Sequence, residues 1–273
     1  MGGPEPPRRG TRVPYHDRNA PALLVAVPRT PLRQALGIIG QPPFTGVDIW
    51  NVYELSWLNP KGKPEVAIGT LVFPCDTPGM IESKSLKLYL NSFSQERVAS
   101  SAELERRIAR DVGAACGGAV EVSLLMPQRF NDLPYGEPEG ESLDSIDVDV
   151  EEYQPQPSLL IAHGETVTET LISNLLKSNC PFTGWPDWGS LQVRYRGPRI
   201  DRTGLLRYVV SFRQHGGFHE QVVERMFVEI QRMCFPTELS IYARYTRRGG
   251  IDINPFRTNT GVSCPVNCRT ARQ

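Results

Sequence analysis

The sequence predicts an α+β chain made of two duplicated modules, and three observations carry that reading. Strand-type alternation of apolar and polar residues recurs in both halves, over residues 48–58 and again over 239–246. Helix-type patterns accompany the strands in each half, at 101–112 and 221–233. A short repeat ties the halves together: Leu86-x-x-Tyr89-x-x-Ser92-Phe93 recurs as Leu205-x-x-Tyr208-x-x-Ser211-Phe212, aligning Glu82 with Asp201.

Taken in order, residues 1–20 are rich in Pro, Gly and Arg without periodicity and are expected to form a loose N-terminal arm. Residues 48–58 alternate as a strand, Lys61-Gly62-Lys63-Pro64 supplies a turn, and 66–72 is the next strand. Residues 101–112 read as a helix with an early acidic turn, followed by a strand over 119–125. The stretch 131–157 is rich in Pro, Gly and acids, with five acids between Asp144 and Glu152. It reads as a solvated connection between modules. Beyond it, Thr166, Leu171 and Leu175 are spaced for one face of a helix over 165–177, which would leave Cys180 at a helix end. A strand at 191–196, a helix at 221–233 and a strand at 239–246 complete the chain. The expected division is an arm at 1–20, modules at 21–130 and 158–273, and the connection at 131–157.

Composition narrows the function classes. Among 273 residues, 30 Lys and Arg balance 30 Asp and Glu, unlike a nucleic-acid or polybasic membrane binder. The early apolar run 22–27 is too short to span a bilayer, and nothing at the start resembles a signal peptide. A soluble cytoplasmic protein is expected. Six scattered cysteines without a C-x-x-C pair fit reduced thiols, and Cys264 and Cys268 lack nearby histidines for a zinc site. No metal is expected.

The chemistry-bearing residues fall into four clusters. No G-x-G-x-x-G or G-x-x-x-x-G-K-[ST] motif is present, so a nucleotide would have to be held by other means. In Cys180-Pro181-Phe182-Thr183-Gly184-Trp185-Pro186-Asp187, a compact loop can return Asp187 towards the thiol as its proton carrier. Packing is the blander role for that cysteine. Glu82-Ser83-Lys84-Ser85-Leu86-Lys87-Leu88-Tyr89 reads either as an exposed strand edge or as a carboxylate for a base beside a lysine for a phosphate. Phe218-His219-Glu220 sets an imidazole beside a carboxylate at a helix start, where acids are common for dipole reasons. Arg244-Tyr245-Thr246-Arg247-Arg248-Gly249-Gly250 is either a solvated strand end or an anion site.

Together these runs, with Asp48-Ile49-Trp50 and Tyr53-Glu54-Leu55-Ser56-Trp57-Leu58-Asn59, resemble the NADPH-dependent 7-cyano-7-deazaguanine reductases. These are the nitrile reductases of queuosine biosynthesis, here in their long two-module form. The resemblance covers roughly residues 20–260. It implies the tunnelling fold, two tandem modules of antiparallel sheet with helices on one face, assembled as a homodimer with no direct nucleic-acid or membrane partner. It implies Cys180 as the nucleophile that forms a thioimide with the nitrile, Asp187 as general acid and His219 as a second proton carrier. It further implies Ile81, Glu82, Ser83, His219 and Glu220 around the substrate, and Ser83, Lys84, Arg248 and Gly249 around NADPH. Two readings compete: a metal-dependent pterin or purine hydrolase on the same fold, and a base-binding module with a packed, inert Cys180.

Overall fold

The computed structural model of the chain describes residues 18–273, so the expected N-terminal arm lies outside the described residues as far as residue 17. The first half runs β1 (Ala26–Pro28), α1 (Arg29–Gln34), β2 (Thr45–Leu58), β3 (Pro64–Pro74), β4 (Gly79–Ile81), α2 (Ser83–Asn91), α3 (Ser101–Cys116) and β5 (Glu121–Leu125). The rest runs β6 (Glu141–Ser142), β7 (Ala162–Asn179), β8 (Pro186–Ile200), α4 (Arg202–Ser211), α5 (His219–Cys234), β9 (Glu238–Tyr245) and β10 (Ile251–Thr258).

Eight strands form one sheet in the order β5-β3-β2-β10-β9-β8-β7-β6. Every neighbouring pair is antiparallel except β6 with β7. The last strand, β10, lies between the two halves, with Ile253 opposite Trp50 of β2 and Arg257 opposite Ile241 of β9. Because side chains alternate across a strand, these pairings put Leu71, Trp50, Ile253, Arg257, Ile241 and Val193 on one continuous face. That face receives the helices. Trp50, Trp57, Leu71 and Phe73 pack with Leu86 of α2 and with Leu104, Ile108 and Val112 of α3. Leu191, Val193 and Ile241 pack with Leu205 of α4 and with Val222, Met226 and Phe227 of α5. The halves interlock, since Phe44 and Cys75 join the second cluster while Ile251 and Ile253 join the first.

The sequence repeat is a structural one. Tyr89 donates to Asp111 of the following helix at 2.8 Å, and Tyr208 donates to Glu229 of its following helix at 2.5 Å. Each tyrosine meets its phenylalanine, Phe93 or Phe212, edge to face at 5.3 Å. Glu82 and Asp201 both cap the helix that carries the motif.

Two local readings are corrected. Residues 165–177 are strand, not helix, within the 18-residue β7. The segment is rich in β-branched residues, Thr166, Val167, Thr168, Thr170 and Ile172, which favour a pleated surface. Of the residues spaced for a helical face, Leu175 is exposed, while Leu176 is buried beyond a shift in register between Ser173 and Leu176. Cys180 therefore follows a strand. The Glu82–Tyr89 run is not a strand edge either; residues 83–91 are helix α2, with Leu86, Tyr89 and Leu90 buried.

Candidate active site

The β7–β8 hairpin builds the surroundings of Cys180. Ser178 pairs with Asp187 and Asn179 with Pro186, and the intervening turn closes through Cys180 N–H to the Trp185 carbonyl at 2.8 Å. Gly184, at φ +68°, donates back to the Cys180 carbonyl at 2.9 Å. Such a left-handed position suits glycine because it carries no Cβ. A second strap fixes the start of α5 to this hairpin: Asn179 N–H donates to His215 O at 2.8 Å, and Gly217 N–H donates to Asn179 O at 3.0 Å. His219 and Glu220 open α5 immediately beyond. The β9–β10 turn brings in Arg248, whose N–H donates to Ile251 O at 2.9 Å.

These elements converge on one cleft. Its walls include Ile81, Glu82, Ser83, Cys180, Asp187, His219, Glu220 and Arg248, together with Trp50, Phe182, Phe218 and Ile253. The first half supplies Trp50 and the start of α2, and the second supplies the hairpin, α5 and Arg248. Two residues expected around a cofactor, Lys84 and Gly249, are not among its walls; both are exposed at its surroundings. Sequence reading passed over Lys87. A methyl group on Gly249 would come within 3.0 Å of Lys87 Nζ. Burial, then the nearby Arg248, push the Lys87 ammonium below its usual range. The signal available was the i, i+3 spacing of Lys84 and Lys87, which shares a face only if the segment is helical.

The electrostatics divide the labour. Burial works to raise the Cys180 thiol, but donors from Thr183, the Phe182 backbone and Arg248 outweigh it and hold the titration below the usual thiol range. Burial raises the Asp187 carboxyl despite Arg248, Lys87 and Lys177. Asp187 Oδ1 lies 3.3 Å from Arg248 Nη1 and 3.8 Å from His219 Nε2. Burial, with Arg248 and Lys87 nearby, lowers His219 to about 3, so its imidazole is neutral around neutral pH. Burial, then the Asp48 carboxylate, raises Glu220 to about 7. Glu82 spends its carboxylate on the helix end, Oε1 accepting from Lys84 N–H at 2.8 Å and Oε2 from Ser85 N–H at 2.7 Å. Each oxygen keeps acceptor capacity for a further donor.

Under Glu220 lies a buried ion network. Asp48 pairs with Arg29 at 2.6 Å and with Arg257 at 2.7 Å. Glu224, one turn along α5, pairs with Arg257 at 2.9 Å and with Arg33 at 2.7 Å. The network joins α1, β2, β10 and α5, and so holds the cleft's two sides in one register.

Comparison with known proteins points to one family. A family model described as the N-terminal part of the nitrile reductase 7-cyano-7-deazaguanine reductase matches residues 15–124. A second, described as a QueF-like protein, matches residues 186–262. The NADPH-dependent 7-cyano-7-deazaguanine reductase of Burkholderia vietnamiensis is 53% identical over 99% of both chains. That of Bordetella pertussis is 53% identical over 97% of both. Among solved structures, an archaeosine synthase QueF-Like in the apo form aligns with a TM-score of 0.32 and 16% identity, over 36% of this chain and 97% of its own. That likeness is too low to argue from.

Proposed function

The chain belongs to the family of NADPH-dependent 7-cyano-7-deazaguanine reductases, and from that premise we propose that it reduces the nitrile of 7-cyano-7-deazaguanine to the primary amine 7-aminomethyl-7-deazaguanine in queuosine biosynthesis. The observation that carries this reading is the convergence of Cys180, Asp187, His219, Glu82, Glu220 and Arg248 on one cleft. A nitrile carbon is a weak electrophile, and covalent addition of a thiolate splits its reduction into easier steps. Cys180, with its thiol held towards the ionised form, adds to the carbon. Asp187, held towards the protonated form, gives its proton to the nitrile nitrogen, leaving a neutral thioimide.

When bound, NADPH supplies hydride, and two equivalents with two protons convert the C≡N group to CH2NH2. After the first reduction the Cys180 sulfur leaves with its bonding pair, and Asp187 and His219 are the groups within reach to move protons to nitrogen. Glu82 and Glu220 offer acceptors to the donor edge of the guanine-like ring, with Ile81 and Ser83 beside them. For the cofactor, the donor set fits a phosphate-bearing molecule held without a Rossmann turn. Lys84 makes no ion pair among the described residues, and burial together with the nearby Arg248 pushes the Lys87 ammonium down. Ser83 and Gly249 border this basic rim.

We also read the architecture as the tunnelling fold in two modules, 21–130 and 158–273, joined by 131–157. The sheet ends at β5 and β6, edges that pairing with a second copy would cover in a homodimer. Among the described residues no helix is long and apolar enough to cross a membrane. The test is direct: mixing the protein with the nitrile and NADPH should oxidise two cofactor molecules per nitrile, read by cofactor absorbance. Absence of nitrile-dependent oxidation would overturn the reading.

A further inference from the structure

Behind His219 stands a residue that no step above uses. Tyr245, the last residue of β9, is fully buried, and its ring meets the His219 imidazole edge to face. The ring centroids are 4.1 Å apart and the planes 87° apart. Among the described residues no hydrogen bond to a ring nitrogen of His219 orients the imidazole; Asp187 Oδ1 is 3.8 Å from its Nε2.

The seat of Tyr245 is itself built. Gly189 of β8 pairs with Tyr245 across the ladder. A methyl group on Gly189 would come within 3.2 Å of Tyr245 Cδ1 and 3.3 Å of Leu176 Cδ2. Gly189 is not among the positive-φ glycines, so space for the ring accounts for the missing side chain, not backbone conformation. The backbone is held as well, since Gln273 Nε2 donates to the Tyr245 carbonyl at 2.9 Å. The phenol hydroxyl is buried, with the Oγ of Ser178 beside it.

We infer that Tyr245 is a positioning residue for nitrile reduction: its ring, seated by Gly189, fixes the plane of the His219 imidazole relative to Asp187 and the nitrile nitrogen. The inference rests on the proposed function through the role of His219 in moving protons. It places the effect in the reduction steps, after Cys180 has already bonded to substrate, and it assigns the effect to the ring and not to the hydroxyl.

The test uses the full chain and three variants, Tyr245→Phe, Tyr245→Leu and Gly189→Ala. Each is read by kcat and KM for the nitrile, by the mass of the Cys180 adduct, and by NMR of selectively labelled histidines, of which the chain has four. Tyr245→Phe keeps the ring and should keep kcat within about twofold, with the His219 signals in place. Tyr245→Leu should lower kcat by about tenfold or more and move the His219 signals, while KM and adduct formation stay close to wild type. Gly189→Ala crowds the ring without touching the cleft and should give a smaller loss in the same direction, which keeps the inference testable if the leucine variant misfolds. Wild-type kcat and unmoved His219 signals in Tyr245→Leu would overturn the inference. So would equal loss in Tyr245→Phe and Tyr245→Leu, or an adduct lost in step with kcat. If the wild-type protein does not oxidise NADPH with the nitrile, the functional reading fails instead, and the histidine signals still report whether Tyr245 sets the imidazole.

Discussion

Asp187 stands directly across the β7–β8 ladder from Ser178, two residues before Cys180. The acid and the thiol are thus brought to one wall of the cleft by strand pairing, although seven positions separate them in sequence. Without NADPH, the nitrile should raise the protein mass by one substrate molecule, and Cys180→Ala should abolish that adduct. Asp187→Asn should still bind the nitrile but form the adduct about 10²-fold to 10⁴-fold more slowly, as loss of a positioned general acid does. An adduct surviving in the alanine variant, seen by intact-mass measurement, would remove Cys180 from the mechanism.

The basic rim separates into two kinds of residue. Lys84 is exposed and bonded to neither Cys180 nor Asp187, so Lys84→Ala should raise the KM for NADPH about tenfold while adduct formation is untouched. Arg248 touches Asp187 at 3.3 Å and helps hold the Cys180 thiol down. Arg248→Ala should therefore raise the NADPH KM and also slow adduct formation. Steady-state kinetics beside adduct mass against time distinguishes the two, and identical profiles would contradict the division.

Base recognition assigns different fates to three carboxylates. Glu82→Gln and Glu220→Gln should each weaken nitrile binding by about 2–4 kcal/mol, because an amide presents a donor where the guanine edge needs an acceptor. Glu82→Gln should also cost about 1 kcal/mol of stability, since both its oxygens cap α2. Asp201→Asn should be nearly silent: Asp201 caps α4 through Gly204 N–H at 2.6 Å, and asparagine caps as well. Calorimetric titration of all three would refute a single composite site if Asp201 mattered and Glu82 did not.

The buried Glu220 makes nitrile binding dependent on pH. Its titration is raised to about 7 by burial and by Asp48, with Arg29 and Arg257 opposing, so below that pH the empty cleft holds a carboxylic acid. Binding to a donor edge needs the carboxylate, and affinity should rise as pH passes upward through 7. The fold shows the opposite sign. A carboxyl whose folded value lies above its unfolded value of 4.5 stabilises least once both forms are ionised, so its contribution falls from pH 4.5 to 7. Affinities across that range in wild type and Glu220→Gln check the first claim; a slope retained in the glutamine variant would assign it to another group.

The ion network beneath the cleft should be sensitive to partial removal. Arg257 is fully buried between Asp48 and Glu224. Arg257→Met leaves both carboxylates short of a partner and should cost about 3–5 kcal/mol in denaturant unfolding. A loss well below that range would show that Arg29 and Arg33 suffice.

Much of the local structure was legible in the sequence because alternation and capping are properties of neighbouring residues. The strands over 48–58 and 239–246, the helices over 101–112 and 221–233, and the repeat around Tyr89 and Tyr208 are all of this kind. The candidate residues that line the cleft were visible as types in ordered clusters. Residues 165–177 were misread because an apolar spacing of four fits a helix, whereas their fate was settled by pairing with β8 along nearly its whole length. Non-local contact also decided what the clusters do together. It set Asp187 opposite Ser178, brought Lys87 beside Gly249 once α2 formed, and seated His219 on Tyr245. The titration of Glu220 depends on burial and on Asp48, a residue 172 positions earlier in the chain. The sequence by itself determined which side chains were available and which segments could form strands and helices. Only the tertiary structure decided register, burial and charge environment, because each depends on distances between residues that the chain order does not contain.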